Sequence, residues 1–326
     1  MIVFRDPAEI PAGFGPSVVV IGKFDGVHAG HRAGIDRARV AAEAEGARVV
    51  AVTFDRNPLS VLRPELCPPE LVSVDQKLAL LAQTGVDATL VLHFDRALAD
   101  LPAEDFVRRV LVDAVGAVTV FVGADFRFGR GGAGDPGLLA QLGRSSGFRV
   151  EVIDDIRARD DGRRVSSTWI RGLLAEGDVE GAARLLGRPA AVRGEVVHGL
   201  KRGRDLGFPT ANLSLEAEGF IPADGVYAGW LVDEGAIPVA DASPHPHATT
   251  RYPAAISVGT NPTFGDVTAR QVEAYVLDET DLDLYGHRVE VHFTHRIRGM
   301  VAFEGVDALI AQMTDDVARV RAALSD

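Results

Sequence analysis

The chain has 326 residues, 47% hydrophobic and 25% charged, which suits two cores of ordinary size better than one. Its 34 Lys and Arg stand against 46 Asp and Glu, and the resulting charge of −12 excludes general attraction to nucleic acid or anionic lipid. The single Cys67 excludes an intramolecular disulfide and a multi-cysteine metal site, and no apolar run reaches the ~20 residues of a membrane span, so a cytoplasmic protein is expected.

The opening MIVFRDPAEIPAGFGP carries acids and prolines where a signal peptide needs a basic start and an apolar run. From Ser17 to Asp154, β-rich apolar runs at 18–21, 48–54, 88–94, 118–123 and 149–153 alternate with amphipathic segments. That rhythm predicts an α/β unit with a parallel sheet. Residues 30–46 repeat Ala, Ile and Val at helical spacing and stop at Gly46. WIRGLLAEGDVEGAARLL continues as helix, and Gly187 and Pro189 then introduce short strand-like runs such as VRGEVVHG, GVYAGWLV, YPAAISVG, VEAYVL and HRVEVHF. These predict a small antiparallel barrel, with the domain boundary between residues 186 and 187. Residues 233–252 read as an exposed loop between two strands, and the stretch after Phe303 as a terminal amphipathic helix.

The first chemistry-bearing stretch is VVVIGKFDGVHAGHR. It places a strand, a tight turn at Gly22, and then Asp25, His28, Gly30 and His31 at the mouth of a helix. The unpaired N–H groups and positive dipole end of a helix suit phosphate oxygens, and two histidines can donate to one polyphosphate as its charge builds. Gly22-Lys23-Phe24-Asp25-Gly26-Val27-His28-Ala29-Gly30-His31 resembles the HxGH signature of the nucleotidyltransferases, and its longer form resembles the bacterial bifunctional riboflavin kinase and FMN adenylyltransferase family. Val122 to Gly129 is similar to that family's second nucleotide-site motif, and Ser166-Ser167-Thr168-Trp169-Ile170-Arg171 resembles its SSTxIR motif. The resemblance implies a Rossmann-like fold and nucleotide-binding roles for Gly22, Phe24, Asp25, Gly30, Asp125, Arg127, Ser166, Ser167, Thr168 and Arg171, with His28 and His31 catalytic. One departure is Asn57, which stands before Pro58 where the family more often has histidine. Asn can form hydrogen bonds but carries no proton or charge.

The second stretch runs from Gly194 through His198-Gly199 to Gly203-Arg204-Asp205-Leu206-Gly207-Phe208-Pro209-Thr210-Ala211-Asn212-Leu213. Its glycines and basic residues Lys201 and Arg204 suit an anion, and Thr210 and Asn212 put two oxygen ligands on one strand face. GRDLGFPTANL resembles the riboflavin kinase signature, which implies nucleotide binding by Gly203, Arg204, Gly207, Thr210 and Asn212 and Mg²⁺ binding by Thr210 and Asn212. Glu273 in VEAYVLD, followed by Asp283-Leu284-Tyr285-Gly286, matches the family's catalytic glutamate. The family reading makes riboflavin, FMN and ATP the partners: the kinase forms FMN from riboflavin and ATP, and the adenylyltransferase forms FAD and pyrophosphate from FMN and a second ATP.

Two rival readings remain at this level. Gly129 to Gly134 fits GxGxxG with Asp154 downstream, as in an NAD-dependent oxidoreductase, although Asp135-Pro136-Gly137 is expected to interrupt the helix that such a site requires. The other is a flavin-binding protein of the same fold that keeps one of the two activities. His245 and His247 stand in a proline-rich stretch without a third ligand, and Asn212-Leu213-Ser214 is a glycosylation sequon without meaning in the cytoplasm.

Overall fold

Val, Ile and Ala fill the predicted strands without a polar alternation, as strands do when both faces of a parallel sheet are covered. The computed structural model describes residues 1–158, 162–199, 206–236, 249–260, 270–279 and 282–325, and divides into two units, Met1–Ser167 and Thr168–Asp326.

The first unit runs β1 (Ile2–Phe4), β2 (Ser17–Ile21), α1 (Ala29–Glu45), β3 (Arg48–Phe54), α2 (Pro58–Leu62), α3 (Val74–Ala82), β4 (Ala88–Leu92), α4 (Arg96–Ala99), α5 (Ala103–Phe106), β5 (Ala117–Gly123), α6 (Pro136–Ser146) and β6 (Arg149–Ile153). The strands form one parallel sheet in the order β1-β4-β3-β2-β5-β6. Alternate residues of each strand feed opposite cores. Val19, Ile21, Val50, Val52, Leu90 and Val120 pack with Phe106, Leu111 and Leu139 on one face, and Val18, Val20, Val49, Ala51 and Phe121 with Ile35, Ala38 and Leu81 on the other. Both layers are as expected from the strand pattern. Three features were not foreseen: the edge strand β1, the π-helix Val107–Ala114 that continues α5, and the role of Asp135 and Pro136. These two residues start a helix rather than interrupt one. Asp135 Oδ1 accepts from Leu138 N at 2.8 Å and Pro136 is the first residue of α6. The Gly129 to Gly134 stretch curls back on itself instead, closed by paired Phe128 and Gly134 backbones (N to O, 3.1 and 2.8 Å). Its glycines therefore do not form the strand-to-helix turn of a dinucleotide site.

The second unit carries α7 (Ser167–Glu176) and α8 (Val179–Leu186), then β7 (Ala190–Val197), β8 (Thr210–Leu213), β9 (Gly225–Ala236), β10 (Thr250–Thr260), β11 (Arg270–Val276), β12 (His287–Arg298) and α9 (Val306–Leu324). The six strands close an antiparallel barrel in the order β10-β11-β8-β7-β12-β9. Closure removes the exposed edges that an open sheet leaves. Leu231, Ile256, Val258, Val291 and Phe293 fill the interior, and Tyr227 meets Phe293 edge-on at 5.4 Å. The expected loop at 233–252 is shorter than anticipated. Asp233 pairs with Thr250 in the β9–β10 ladder, and residues 237–248, with His245 and His247, lie outside the described residues. The terminal helix seats Val320 among Ala228 and Leu277, and its buried Asp316 receives Arg298 through Nη2 at 2.6 Å and Nε at 2.8 Å.

Candidate active sites

The strands of the first unit end together at the carboxyl edge of the sheet, where parallel α/β folds place their ligands. Gly22 follows β2, Phe24 and Val27 adopt positive φ of 51° and 41°, and His28 is the N-cap of α1. A β-branched residue at positive φ is strained backbone. It persists because Phe24 and Val27 are 1% and 0% exposed, so the core holds the turn in place. The turn delivers the two histidines as a stack, with ring centroids 3.7 Å apart and planes at 19°. A Cβ on Gly30 would lie 3.1 Å from His28 Cε1, so the ring takes the space that a side chain would need. The Phe24 ring meets His31 at 5.3 Å. His31 Nδ1 is buried without a hydrogen-bond partner among the described residues. Burial pushes the His31 pKa well below the ordinary histidine value, and His28, Arg164 and Lys77 push the same way, so the imidazole is neutral at physiological pH.

Ser167 of the SSTxIR motif reaches this loop. Ser167 Oγ donates to the Asp25 carbonyl at 2.8 Å, and the Asp25 carboxylate accepts from Leu71 N at 2.8 Å. Asp125 is ion-paired with Arg164 at 3.1 Å, and Arg164 Nε also reaches Asp155 at 2.9 Å. Arg127 is turned onto the Phe126 carbonyl at 2.8 Å. Arg171 Nη2 lies 3.4 Å from Thr168 Oγ1; both belong to the second unit, so the SSTxIR motif spans the division between units. Asn57 has a structural duty. Its Oδ1 accepts from Leu59 N at 3.1 Å, capping α2 ahead of Pro58. Beside it, burial would raise the Asp55 carboxyl, but bonds from Arg56, Phe94 N and His93 outweigh that and hold it below the usual range.

Sequence reasoning missed several groups here. Phe54 and Phe94 meet edge-on at 5.4 Å, and Phe126 and Phe128 stack at 5.4 Å, giving an aromatic lining at the strand ends. Arg164 and the buried Lys77 were also missed. They come from strand ends, loops and helix α3, which lie apart in the sequence.

In the second unit, register places the chemistry. Glu273 pairs with Asn212 and Tyr275 with Thr210 across β11 and β8, and directly opposed residues share a sheet face. Asn212 Nδ2 donates to the Thr210 carbonyl at 3.0 Å and to Thr210 Oγ1 at 3.3 Å, while its Oδ1 accepts from Gln271 Nε2 at 3.4 Å. Gly199 lies over this amide, and a Cβ there would stand 2.6 Å from Asn212 Cγ. Burial raises the Glu273 carboxyl above the usual range, and a bond from the Thr210 side chain offsets part of that rise. Beside Thr210 opens a cavity of about 260 Å³ whose walls include Val196, Ala274, Val276, Leu284 and Tyr285. Tyr285, of the DLYG run, packs on the His198 ring at 3.9 Å. Gly203 and Arg204, with Lys201, lie outside the described residues, whereas Gly207 lies within them.

Thr210 Oγ1 and Asn212 Oδ1 are hard oxygen donors next to a carboxylate. No group of three or more His, Cys, Asp or Glu among the described residues could hold a metal. That donor set fits Mg²⁺ as it is usually bound by nucleotide enzymes, through a few protein oxygens with waters and substrate phosphates completing the shell.

The FAD synthetase family model matches residues 11–169 and the riboflavin kinase family model residues 186–324. A bifunctional riboflavin kinase/FMN adenylyltransferase of Escherichia coli K12 is 36% identical over 92% of this chain and 90% of its own length. The protein of the same name from Pseudomonas fluorescens is 37% identical over 94% of this chain and 92% of its own. A solved chain from Streptococcus pneumoniae, described as a macrolide-efflux protein, superposes with a TM-score of 0.82 at 31% identity and covers 98% of both chains. No described helix here is long and apolar enough to cross a membrane.

Proposed function

The chain belongs to the bifunctional riboflavin kinase/FMN adenylyltransferase family, and we propose that its barrel phosphorylates riboflavin to FMN while its parallel-sheet unit adenylylates FMN to FAD. The observation that carries this reading is the presence of two separately built polar clusters, the stacked His28 and His31 at a helix mouth and Glu273, Asn212 and Thr210 on the barrel. We assign residues 1–186 to adenylyl transfer and 187–326 to the kinase, both working on ATP in the cytoplasm.

In the kinase, the cavity beside Thr210 receives the flavin ring against its apolar wall. Glu273 accepts the proton of the ribityl hydroxyl as that oxygen attacks the γ-phosphorus of ATP, and the bond to ADP breaks. Its raised pKa makes it a stronger base than an exposed glutamate. Thr210 and Asn212 hold Mg²⁺ through oxygen. When bound, the ion neutralises charge on the ATP phosphates. Gly207 lets the neighbouring backbone approach those phosphates, with Gly203 and Arg204 in the same run.

In adenylyl transfer, the FMN phosphate attacks the α-phosphorus of the second ATP and pyrophosphate leaves. His28 and His31 donate hydrogen bonds to the triphosphate, a neutral His31 through its one ring N–H. The amino end of α1, opened by Gly22, Phe24, Asp25 and Gly30, supplies N–H groups and a favourable dipole. Ser166, Ser167, Thr168 and Arg171 give donors to the phosphates, Asp125 and Arg127 contact the nucleotide, and the half-buried Phe54 and Phe126, backed by the buried Phe94 and Phe128, offer ring surface to the flavin.

The test separates the two half-reactions. Glu273→Gln should lower FMN formation by about 10²–10⁴-fold while FMN is still converted to FAD, and His28→Ala with His31→Ala should do the reverse. Loss of both steps in either folded variant would contradict this assignment.

A further inference from the structure

We propose that Lys77 is a positioning residue for adenylyl transfer, a buried cation that pins the end of β3 behind the HxGH loop and sets the charge around His31. The inference rests on the adenylyltransferase reading above. Lysines ordinarily bury their stems and keep the ammonium in water. Lys77, in α3, is only 7% exposed, and its Nζ donates to the carbonyl of Phe54, the last residue of β3, at 2.7 Å.

The same strand end is tied to the loop by Thr53 Oγ1, which donates to the Lys23 carbonyl at 3.2 Å. The segment leading into α3 is tied to the loop by Leu71 N on Asp25 at 2.8 Å. Three bonds from three elements thus lace β3, the loop and α3 into one piece behind the histidines. The sequence offered no sign of this, because Lys77 sits within an ordinary amphipathic helix.

The charges are arranged to match. Three carboxylates, Glu70, Asp25 and Asp55, face Lys77 and oppose the effect of its burial. The groups that face His31 are His28 on its own helix, Arg164 ahead of α7, and Lys77 from α3, and all three disfavour a proton on His31. Without the ammonium, one of the three charges that disfavour a proton on His31 is gone. Lys77 therefore adds to the burial that keeps His31 neutral, while its bond to Phe54 holds the end of β3.

The experiment compares Lys77→Met, Lys77→Gln and Lys77→Arg in the full chain, with far-ultraviolet circular dichroism as the control for folding and riboflavin phosphorylation as the unaffected comparison. In Lys77→Met, His31 followed by NMR of ring-labelled histidine should titrate at higher pH than in the wild type. FAD formation from FMN should fall about 10- to 100-fold in kcat, most steeply at acidic pH, as expected for a displaced reacting geometry. Lys77→Gln keeps a donor for the Phe54 carbonyl without the charge. It should move the His31 titration in the same direction and reads the charge alone if Lys77→Met does not fold. Lys77→Arg should restore both readouts. An unchanged His31 titration in Lys77→Gln, with wild-type protein forming FAD, would overturn the proposal. Absence of FAD from the wild type would instead overturn the adenylyltransferase reading.

Discussion

At the scale of single residues, the barrel site depends on how its carboxylate and amide are held. Burial raises the Glu273 carboxyl, and the reaction needs its ionised form as base. The rate of FMN formation should therefore fall as pH drops through a pKa above the ~4.3 of an unperturbed glutamate. A pH–rate profile at saturating riboflavin and ATP checks this, and a profile flat down to the ordinary carboxylate range would speak against Glu273 as the base. Asn212 is 8% exposed, and its amide carbon lies 2.6 Å from where a Cβ on Gly199 would stand. Gly199→Ala should thus push the amide off its position and lower FMN formation by about 10²-fold, with FAD formation from FMN as the unaffected comparison. Among these residues, Thr210 and Asn212 were legible because they stand in one contiguous signature, and Glu273 because the DLYG run follows it in order. Gln271 and Gly199 were not, since their closeness to Asn212 depends on strand register and on the path of the chain after β7.

At the scale of elements, the strands of the parallel sheet were readable almost to the residue. Runs such as RVVAVTF are β-branched, apolar and bounded by glycine or polar breaks, and the structure places β3 on Arg48–Phe54. The three-residue edge strand β1 carries too little pattern to be read that way. The π-helix after α5 shares its periodicity with an ordinary helix and leaves no separate mark in the sequence. Asn57, the departure from the family motif, has a local duty: its side chain caps α2, for which a short amide is well suited. The docking of α9 rests on Arg298 and Asp316, whose carboxylate is 4% exposed. Arg298→Met would leave that charge buried and unpaired, at a cost of about 3–5 kcal/mol. Urea unfolding followed by tryptophan fluorescence should show the earlier transition in the barrel unit, which contains Trp230, and an unchanged midpoint would mean that the pair is replaceable there.

At the scale of the molecule, the two-part plan was legible in the shift from alternating strand and helix to glycine-punctuated strands. The structure divides at Ser167 and Thr168, so α7 and α8 are counted with the barrel although their helical sequence continues the first half's pattern. The groups that complete the first site could not be read in advance. Phe54 and Phe94 lie apart in the chain and meet because β3 and β4 are neighbours in the sheet, and Lys77 reaches the same strand end from α3. The central claim is that one chain carries riboflavin through both steps. Its most direct test is a chromatographic time course of riboflavin incubated with the purified chain, ATP and Mg²⁺. The account predicts FMN first, accompanied by ADP, and then FAD accompanied by pyrophosphate. Accumulation of FMN alone, or flavin binding without any product, would contradict it.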